Sequence, residues 1–224
     1  MPYRKTDKTR RRNERRRRQI INAARRLFSR QGYEITTMNQ IVDKAKTSIG
    51  NLYFYFDNKQ SLLLTIVKDM INTIWFDTDE EEYHSLSGTA KLALITYRFT
   101  TMLMEKDQSA RILDVGNSVP IVRKAMFDDF HRRVYAALEN DSSLLTGINT
   151  DLKLYASYGA ITAILDRKRS GEVIENPHDI GMFLARWNLQ AIGIDPETAN
   201  DALASIEKFA IRKRTKKSRG SDNE

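Results

Sequence analysis

The 224-residue chain is large enough for one substantial domain or two small ones, and its composition (41% hydrophobic, 29% charged) is that of an ordinary globular protein. The complete lack of cysteine excludes disulfides, thiolate metal sites and cysteine nucleophiles. The net charge of +8 is unevenly placed: ten basic against two acidic side chains fall in residues 1–18, whereas residues 72–211 hold fourteen basic and twenty-one acidic ones. A basic head on an acidic body suits a polyanion at the head alone.

With 10 Gly and 4 Pro, and little strand-like alternation, the chain is expected to be all-α. No run of about 18 apolar residues is present, so no membrane span is expected. The basic N-terminus lacks the apolar core of a signal peptide, and a cytoplasmic setting is expected. Residues 1–14 are basic, polar and without apolar periodicity, which predicts a flexible arm. From Arg15, residues Ile20, Ala23, Ala24, Leu27 and Phe28 recur at helical spacing up to Gly32, a residue suited to a helix end. Thr37-Met38-Asn39-Gln40 has the form of a capping box, opening a short helix with Ile41, Val42 and Ala45 inward. Lys46 and Thr47 make a tight break, Thr47 or Ser48 caps a third helix to about Tyr55, and Asp57 or Asn58 caps a fourth carrying Leu62, Leu63, Ile66, Val67, Met70 and Ile74.

The acidic run from Asp77 to Glu82 reads as a solvated loop. Helical patterns then cover Thr89–Glu105, Asp107–Gly116, Pro120–Glu139, Asp151–Arg169, Pro177–Ala191 and Pro196–Arg214. Three of these begin with proline behind a candidate cap, namely Ser118, Asn176 and Asp195. The organisation expected is a basic arm at 1–14, a tri-helical domain at 15–60 with a linking helix to about 76, a helical body at 77–211 and a basic tail at 212–224.

The stretch from Thr36 to Lys59 carries the chemistry. Two short helices on a tight turn can set the second in a DNA major groove, about 12 Å wide, while the first braces against the backbone. Gly50 offers close backbone approach, Leu52 and Phe56 point inward, and Tyr53, Phe54 and Tyr55 are left at the surface. The string Thr36-Thr37…Ile41-Val42…Ala45…Ser48-Ile49-Gly50-Asn51-Leu52-Tyr53-Phe54-Tyr55-Phe56…Lys59 resembles the signature of the tetracycline-repressor (TetR) family, as do Ala23, Ala24, Leu27, Phe28 and Gly32-Tyr33 upstream. The resemblance spans roughly residues 15–75. It implies a helix-turn-helix DNA-binding domain with a larger helical ligand-binding and dimerisation domain, and a dimeric repressor released from a pseudo-palindromic operator.

Carried over position by position, Thr37, Ser48, Tyr53, Tyr55 and Lys59 match phosphate contacts, and Ile49, Gly50 and Asn51 match the positions nearest base edges. Thr36, Lys46, Thr47 and Phe54 complete the DNA-binding set. Lys46 replaces the usual turn glycine, which strains the turn by about 1 kcal/mol if φ is positive, and Tyr55 replaces a histidine. Arg10, Arg11, Arg12, Arg15 and Arg16 are assigned to an arm reaching an adjacent minor groove.

His84, His131 and His178 lie far apart without partners at ligand spacing, so no metal is expected, and no cofactor either. The resemblance implies an effector pocket in the body, with Tyr97, Met102, Met104, Phe127, His131, Tyr155 and Tyr158 as lining candidates for a small hydrophobic or amphipathic compound. It also implies a two-fold interface built by late helices. Leu152, Ala156, Gly159, Ala160 and Ala163 are assigned to it, with Ile180, Phe183, Leu184 and Trp187 facing them. Within the same fold an effector-independent activator is the rival, and outside it an all-α enzyme or ligand carrier with an incidental helix-turn-helix.

Overall fold

A computed structural model of the chain describes residues 7–75, 81–105, 107–137 and 150–207, and every regular element among them is helical. In chain order these are α1 (Asp7–Gln31), α2 (Met38–Ala45), α3 (Ile49–Tyr55), α4 (Lys59–Trp75), α5 (Glu81–His84), α6 (Gly88–Glu105), α7 (Asp107–Ser118), α8 (Pro120–Ala137), α9 (Thr150–Arg169) and α10 (Pro177–Ala191). A further helix, α11, covers 196–207. They form two compact units, one of Met1–Thr73 with Asp107–Phe127, the other of Ile74–Lys106 with Asp128–Glu224.

In the first unit α1, α2, α3 and α4 close around Ile20, Ala24, Phe28, Ile41, Leu52, Leu62, Leu63, Ile66 and Val67, all buried. Burying a large aliphatic or aromatic side chain contributes about 1.5–3 kcal/mol, so this layer holds the short helices that propensity alone would not. The segment 107–127 lies beyond the boundary drawn at 77 from sequence but falls in this unit. The reason is a close approach at Gly116, where an added Cβ would sit 2.9 Å from Met126 Sδ and 3.2 Å from Val67 Cγ2.

One expectation fails at the start of the chain. The flexible arm rests on missing apolar periodicity, yet α1 begins at Asp7, so Arg10, Arg11 and Arg12 are helical. Periodicity reports which face packs, not whether a helix forms. Arginine is among the better helix formers. Residues 1–6 and the tail at 212–224 lie outside the described residues, as do 77–80 of the acidic run, whose last part begins α5.

The second unit is built on α6, which buries residues on nearly every side, including Ala90, Leu94, Thr96, Tyr97, Phe99 and Thr100. Around it pack Val134 of α8, Leu154 of α9, Ala185 and Leu189 of α10, and Ala199, Leu203 and Ile206 of α11. Two of the three caps expected before proline are observed. Asn176 Oδ1 accepts from the amides of His178 and Asp179, and Asp195 Oδ1 from those of Glu197 and Thr198, bonds that hold the Asp195 carboxyl below its ordinary pKa. Ser118 does not cap α8: it is the last residue of α7, and its hydroxyl donates back to Val115 O at 2.8 Å.

Helices α6 and α10 touch closely at Gly181, where an added Cβ would meet Thr101 Cγ2 and Tyr97 Cδ2, each at 2.9 Å. Tyr97 cannot easily give way, because its hydroxyl pairs with His178 Nδ1 at 3.0 Å. Gly181→Ala is therefore expected to destabilise the protein by about 1–2 kcal/mol, overpacking outweighing the gain in helix propensity. Urea unfolding of the two proteins checks this.

Candidate nucleic-acid interface

The α2–α3 pair is fixed by local bonds that the sequence specifies. Thr37 Oγ1 accepts from Gln40 N at 3.2 Å while Gln40 Oε1 accepts from Thr37 N at 2.9 Å, completing the capping box. Lys46 ends α2 in the left-handed region (φ 52°, ψ 52°), with Lys46 N donating to Asp43 O and Thr47 N to Val42 O. It is the one non-glycine residue with positive φ among the described residues, so the strain expected of this turn is present. Ser48 then caps α3, its Oγ accepting from Asn51 N at 3.2 Å, and Asn51 Nδ2 donates to Thr47 Oγ1 at 3.3 Å.

Helix α3 buries Leu52, and Phe56 just beyond it, and turns the opposite face outward. Ile49 is 42% exposed, Tyr53 50% and Phe54 68%, with the Phe54 and Tyr55 rings edge to face at 4.9 Å. A Cβ added at Gly50 would meet no heavy atom within 4 Å, and its backbone is ordinary helix. Nothing among the described residues requires glycine there. Thr47, Ser48, Ile49, Gly50, Tyr53, Phe54 and Tyr55 thus gather on α3 and the turn before it, beside the half-buried Asn51, while Thr37 stands at the start of α2.

Two assigned contacts are corrected. Thr36 is fully buried, its hydroxyl donating to Gly32 O at 2.7 Å and accepting from Gln31 Nε2 at 3.2 Å, so it serves the α1–α2 loop. The Lys59 ammonium, expected on a phosphate, donates to the carbonyls of Tyr33 (2.7 Å), Thr36 (2.9 Å) and Glu34 (3.3 Å), and lies 4.2 Å from the Tyr33 ring centre. An ammonium has three N–H groups, and all three are used inside the protein. Lys59 is a clamp on the loop that sets α2. Burial, then the Glu34 charge, pushes the Tyr33 hydroxyl up, which keeps it neutral beneath the clamp. Sequence reading misses this role because the partners lie 23 to 26 residues away.

The arm arginines Arg10, Arg11, Arg12 and Arg15 are exposed along α1, Arg16 is half-buried, and Arg17 lies over the Phe56 ring at 5.5 Å. A helix is about 10–12 Å across and the minor groove about 6 Å wide. The helical part of the arm therefore cannot thread that groove.

The description "Bacterial regulatory proteins, tetR family" belongs to the family model that matches residues 20–66, the span just built. The helix-turn-helix segment of this chain is thus of the tetR type. Over 60 residues it is 48% identical to the HTH-type transcriptional regulator HbdR of Aromatoleum sp. (strain CIB), a match covering 27% of this chain and 26% of HbdR. The chain thus spans about a quarter of the length of that relative. Two solved structures share the tetR-type fold at low identity. FadR of Bacillus subtilis, in complex with stearoyl-CoA, has a TM-score of 0.64 at 17% identity, covering 78% of this chain and 98% of that one. RolR, in complex with resorcinol, has a TM-score of 0.61 at 16% identity, covering 86% and 95%.

The body carries the remaining candidates. On α10, Ile180 and Leu184 are buried in the second unit, so they are removed from the interface set: the apolar repeat of that helix has two faces, and one is its own core. Phe183 (58% exposed) and Trp187 face outward, as do Leu152 (62%), Ala156, Gly159 and Ala163 of α9, with Ala160 half-buried. Of the pocket candidates, Tyr97 pairs with His178, the His131 and Tyr155 rings lie 5.6 Å apart, and Tyr158 stacks at a tilt on Phe99 at 6.3 Å. Met102 and Met104 are half-buried on α6, and Phe127 belongs to the first unit. Among the described residues no helix is long and apolar enough to cross a membrane.

Proposed function

We propose that the chain is a sequence-specific DNA-binding transcriptional repressor that sets α3 in the major groove and releases its operator when a small-molecule effector binds the body. The observation that carries this reading is the outward face of α3. Glycine costs up to about 1 kcal/mol relative to alanine inside a helix and less in the first turn, where Gly50 sits, and a Cβ at Gly50 would meet no described heavy atom within 4 Å. Beside it Ile49, Tyr53 and Phe54 present apolar surface that a monomer gains nothing by exposing. A groove floor reached by close backbone approach, with thymine methyls for the apolar side chains, accounts for both features.

Around that face the hydroxyls of Thr37, Thr47, Ser48, Tyr53 and Tyr55, with the Lys46 ammonium, suit phosphate contacts. The caps Thr37 and Ser48 use their oxygens as acceptors and still have a hydrogen to donate. Asn51 is positioned by Thr47 and lies nearest the base edges with Gly50. The exposed arginines of α1 add backbone contacts on the flank. Deleting residues 2–12 is expected to flatten log affinity against log salt by about 0.9 for each phosphate that the arm neutralises, measured by fluorescence anisotropy from about 50 to 300 mM salt. An unchanged slope removes α1 from the interface.

The exposed α9 and α10 residues suit a two-fold interface, small side chains on α9 admitting the bulk of Phe183 and Trp187. Two heads would then address half-sites about 34–36 Å, or a multiple of that, apart. FadR and RolR were each solved with a small molecule, which supports effector control here, with Tyr97, Met102, Met104, His131, Tyr155 and Tyr158 of the second unit as the candidates to line its site. A coupling of about 1–3 kcal/mol between effector and operator suffices for release. The test is a footprint on the DNA upstream of the chain's own gene, repeated with a compound library. Discrete protection abolished by one compound is the expected result, and uniform protection of any DNA contradicts it.

A further inference from the structure

Buried side-chain polar atoms are almost always hydrogen-bonded. Among the described residues three such atoms have no partner, and all lie in the second unit: His131 Nε2 on α8, Thr100 Oγ1 on α6 and Asn188 Oδ1 on α10. Their neighbours show that these are departures and not a general looseness. Thr96 and Thr101, on the same helix as Thr100, donate their hydroxyls to the carbonyls of Leu92 and Tyr97, and the Asn188 amide nitrogen donates to Thr96 Oγ1 at 3.2 Å.

His131 is the most specific of the three. Its Nδ1 lies 3.5 Å from Asp151 Oδ1, and a carboxylate there favours the tautomer with the proton on Nδ1. In that tautomer Nε2 keeps its lone pair and faces the interior as an acceptor without a donor. Tyr155 flanks the ring at 5.6 Å, and one turn along α9 Tyr158 packs on Phe99, the residue before Thr100 on α6. So α6, α8 and α9 meet in aromatic contacts beside the unmatched His131 Nε2.

The chemistry of those atoms is one-sided. Asn188 Oδ1 and, in the Nδ1–H tautomer, His131 Nε2 can only accept, and Thr100 can do either. A carboxylate or phosphate, itself only an acceptor, would leave His131 Nε2 unmatched and would stand near Asp151. A neutral ring bearing a hydroxyl matches that nitrogen with its O–H and the neighbouring aromatic rings with its face.

Building on the effector reading above, we infer that the body binds a neutral hydroxylated aromatic ligand whose O–H donates to His131 Nε2. The site selects hydroxyl over ether because an ether leaves the buried nitrogen unpaired, and over carboxylate because of charge.

The test is calorimetric titration of the full-length protein with phenol, 2-naphthol and 4-phenylphenol, each beside its methyl ether and its matching carboxylate. At least one hydroxyl compound is expected to bind about tenfold or more tighter than its ether, with the carboxylate weaker still. His131→Phe, which keeps a ring but no acceptor, should bring hydroxyl and ether to equal affinity, and His131→Gln should retain part of the difference. Should His131→Phe fail to fold by circular dichroism, Asp151→Asn at an exposed position serves, with the hydroxyl preference expected to shrink. Equal affinities for hydroxyl and ether in the parent protein, no binding by any compound, or a preference untouched by both His131→Phe and Asp151→Asn overturns the inference. Operator release is read separately by anisotropy. Binding with hydroxyl preference but no release upholds this site and defeats effector control, whereas release by compounds that ignore His131 does the reverse.

Discussion

Replacing Gly50 with leucine is expected to leave the fold intact and abolish operator discrimination. A Cβ at that position meets no described heavy atom within 4 Å and the backbone is helical, so the leucine has open space at its base and gains up to about 0.5–1 kcal/mol of helix propensity over glycine. The melting temperature should stay level or rise. Against DNA the isobutyl group stands where the backbone must approach the groove floor. Displacing α3 outward breaks base-edge interactions worth about 1–3 kcal/mol each and shifts the phosphate contacts that set register. Specific affinity should fall about 100-fold or more, with non-specific affinity at low salt much less affected. Thermal unfolding and anisotropy on operator and random duplexes give the two readouts, which must move independently. A fall in stability equal to the fall in affinity would mean that Gly50 serves the fold.

Lys59 is expected to behave the other way. Its ammonium joins the start of α4 to the three carbonyls of the loop before α2. Hydrogen bonds involving a charged group contribute about 1.5–3 kcal/mol each, and partial access of water to these carbonyls recovers much of that. Lys59→Met should therefore lower stability by about 2–3 kcal/mol in total. Were Lys59 a phosphate contact, the same substitution would spare stability and reduce the salt slope by about 0.9. Urea unfolding with a salt titration separates the two, and the structure predicts reduced stability at an unchanged slope.

These two residues also mark how far the sequence can be read. Everything local in the α2–α3 pair is legible, because a capping box, an N-cap serine and an inward Leu52 are set by residues within four positions of one another. The same holds for Asn176 before Pro177. Lys59 is misread because its partners are distant in the chain, and Thr36 because a threonine next to a cap looks the same whether buried or exposed.

On α10 an apolar repeat marks Ile180, Phe183, Leu184 and Trp187 alike. Only packing separates the inward Ile180 and Leu184 from the outward Phe183 and Trp187. The arginine-rich start of α1 escapes for a different reason: with no apolar residue before Ile20 to show a face, its helical geometry leaves no trace in periodicity. The orphaned atoms of His131, Thr100 and Asn188 have no sequence signal at all, since each depends on what its neighbours have already bonded.

The central claim, that the outward face of α3 reads base sequence, is tested most directly by selecting bound duplexes from a random DNA library with the parent protein and with Gly50→Leu in parallel. The parent should enrich a dyad-symmetric sequence with half-site centres about 34–36 Å, or a multiple, apart, and the variant should enrich nothing above background. Enrichment of the same sequence by both proteins, or of none by the parent, would contradict it.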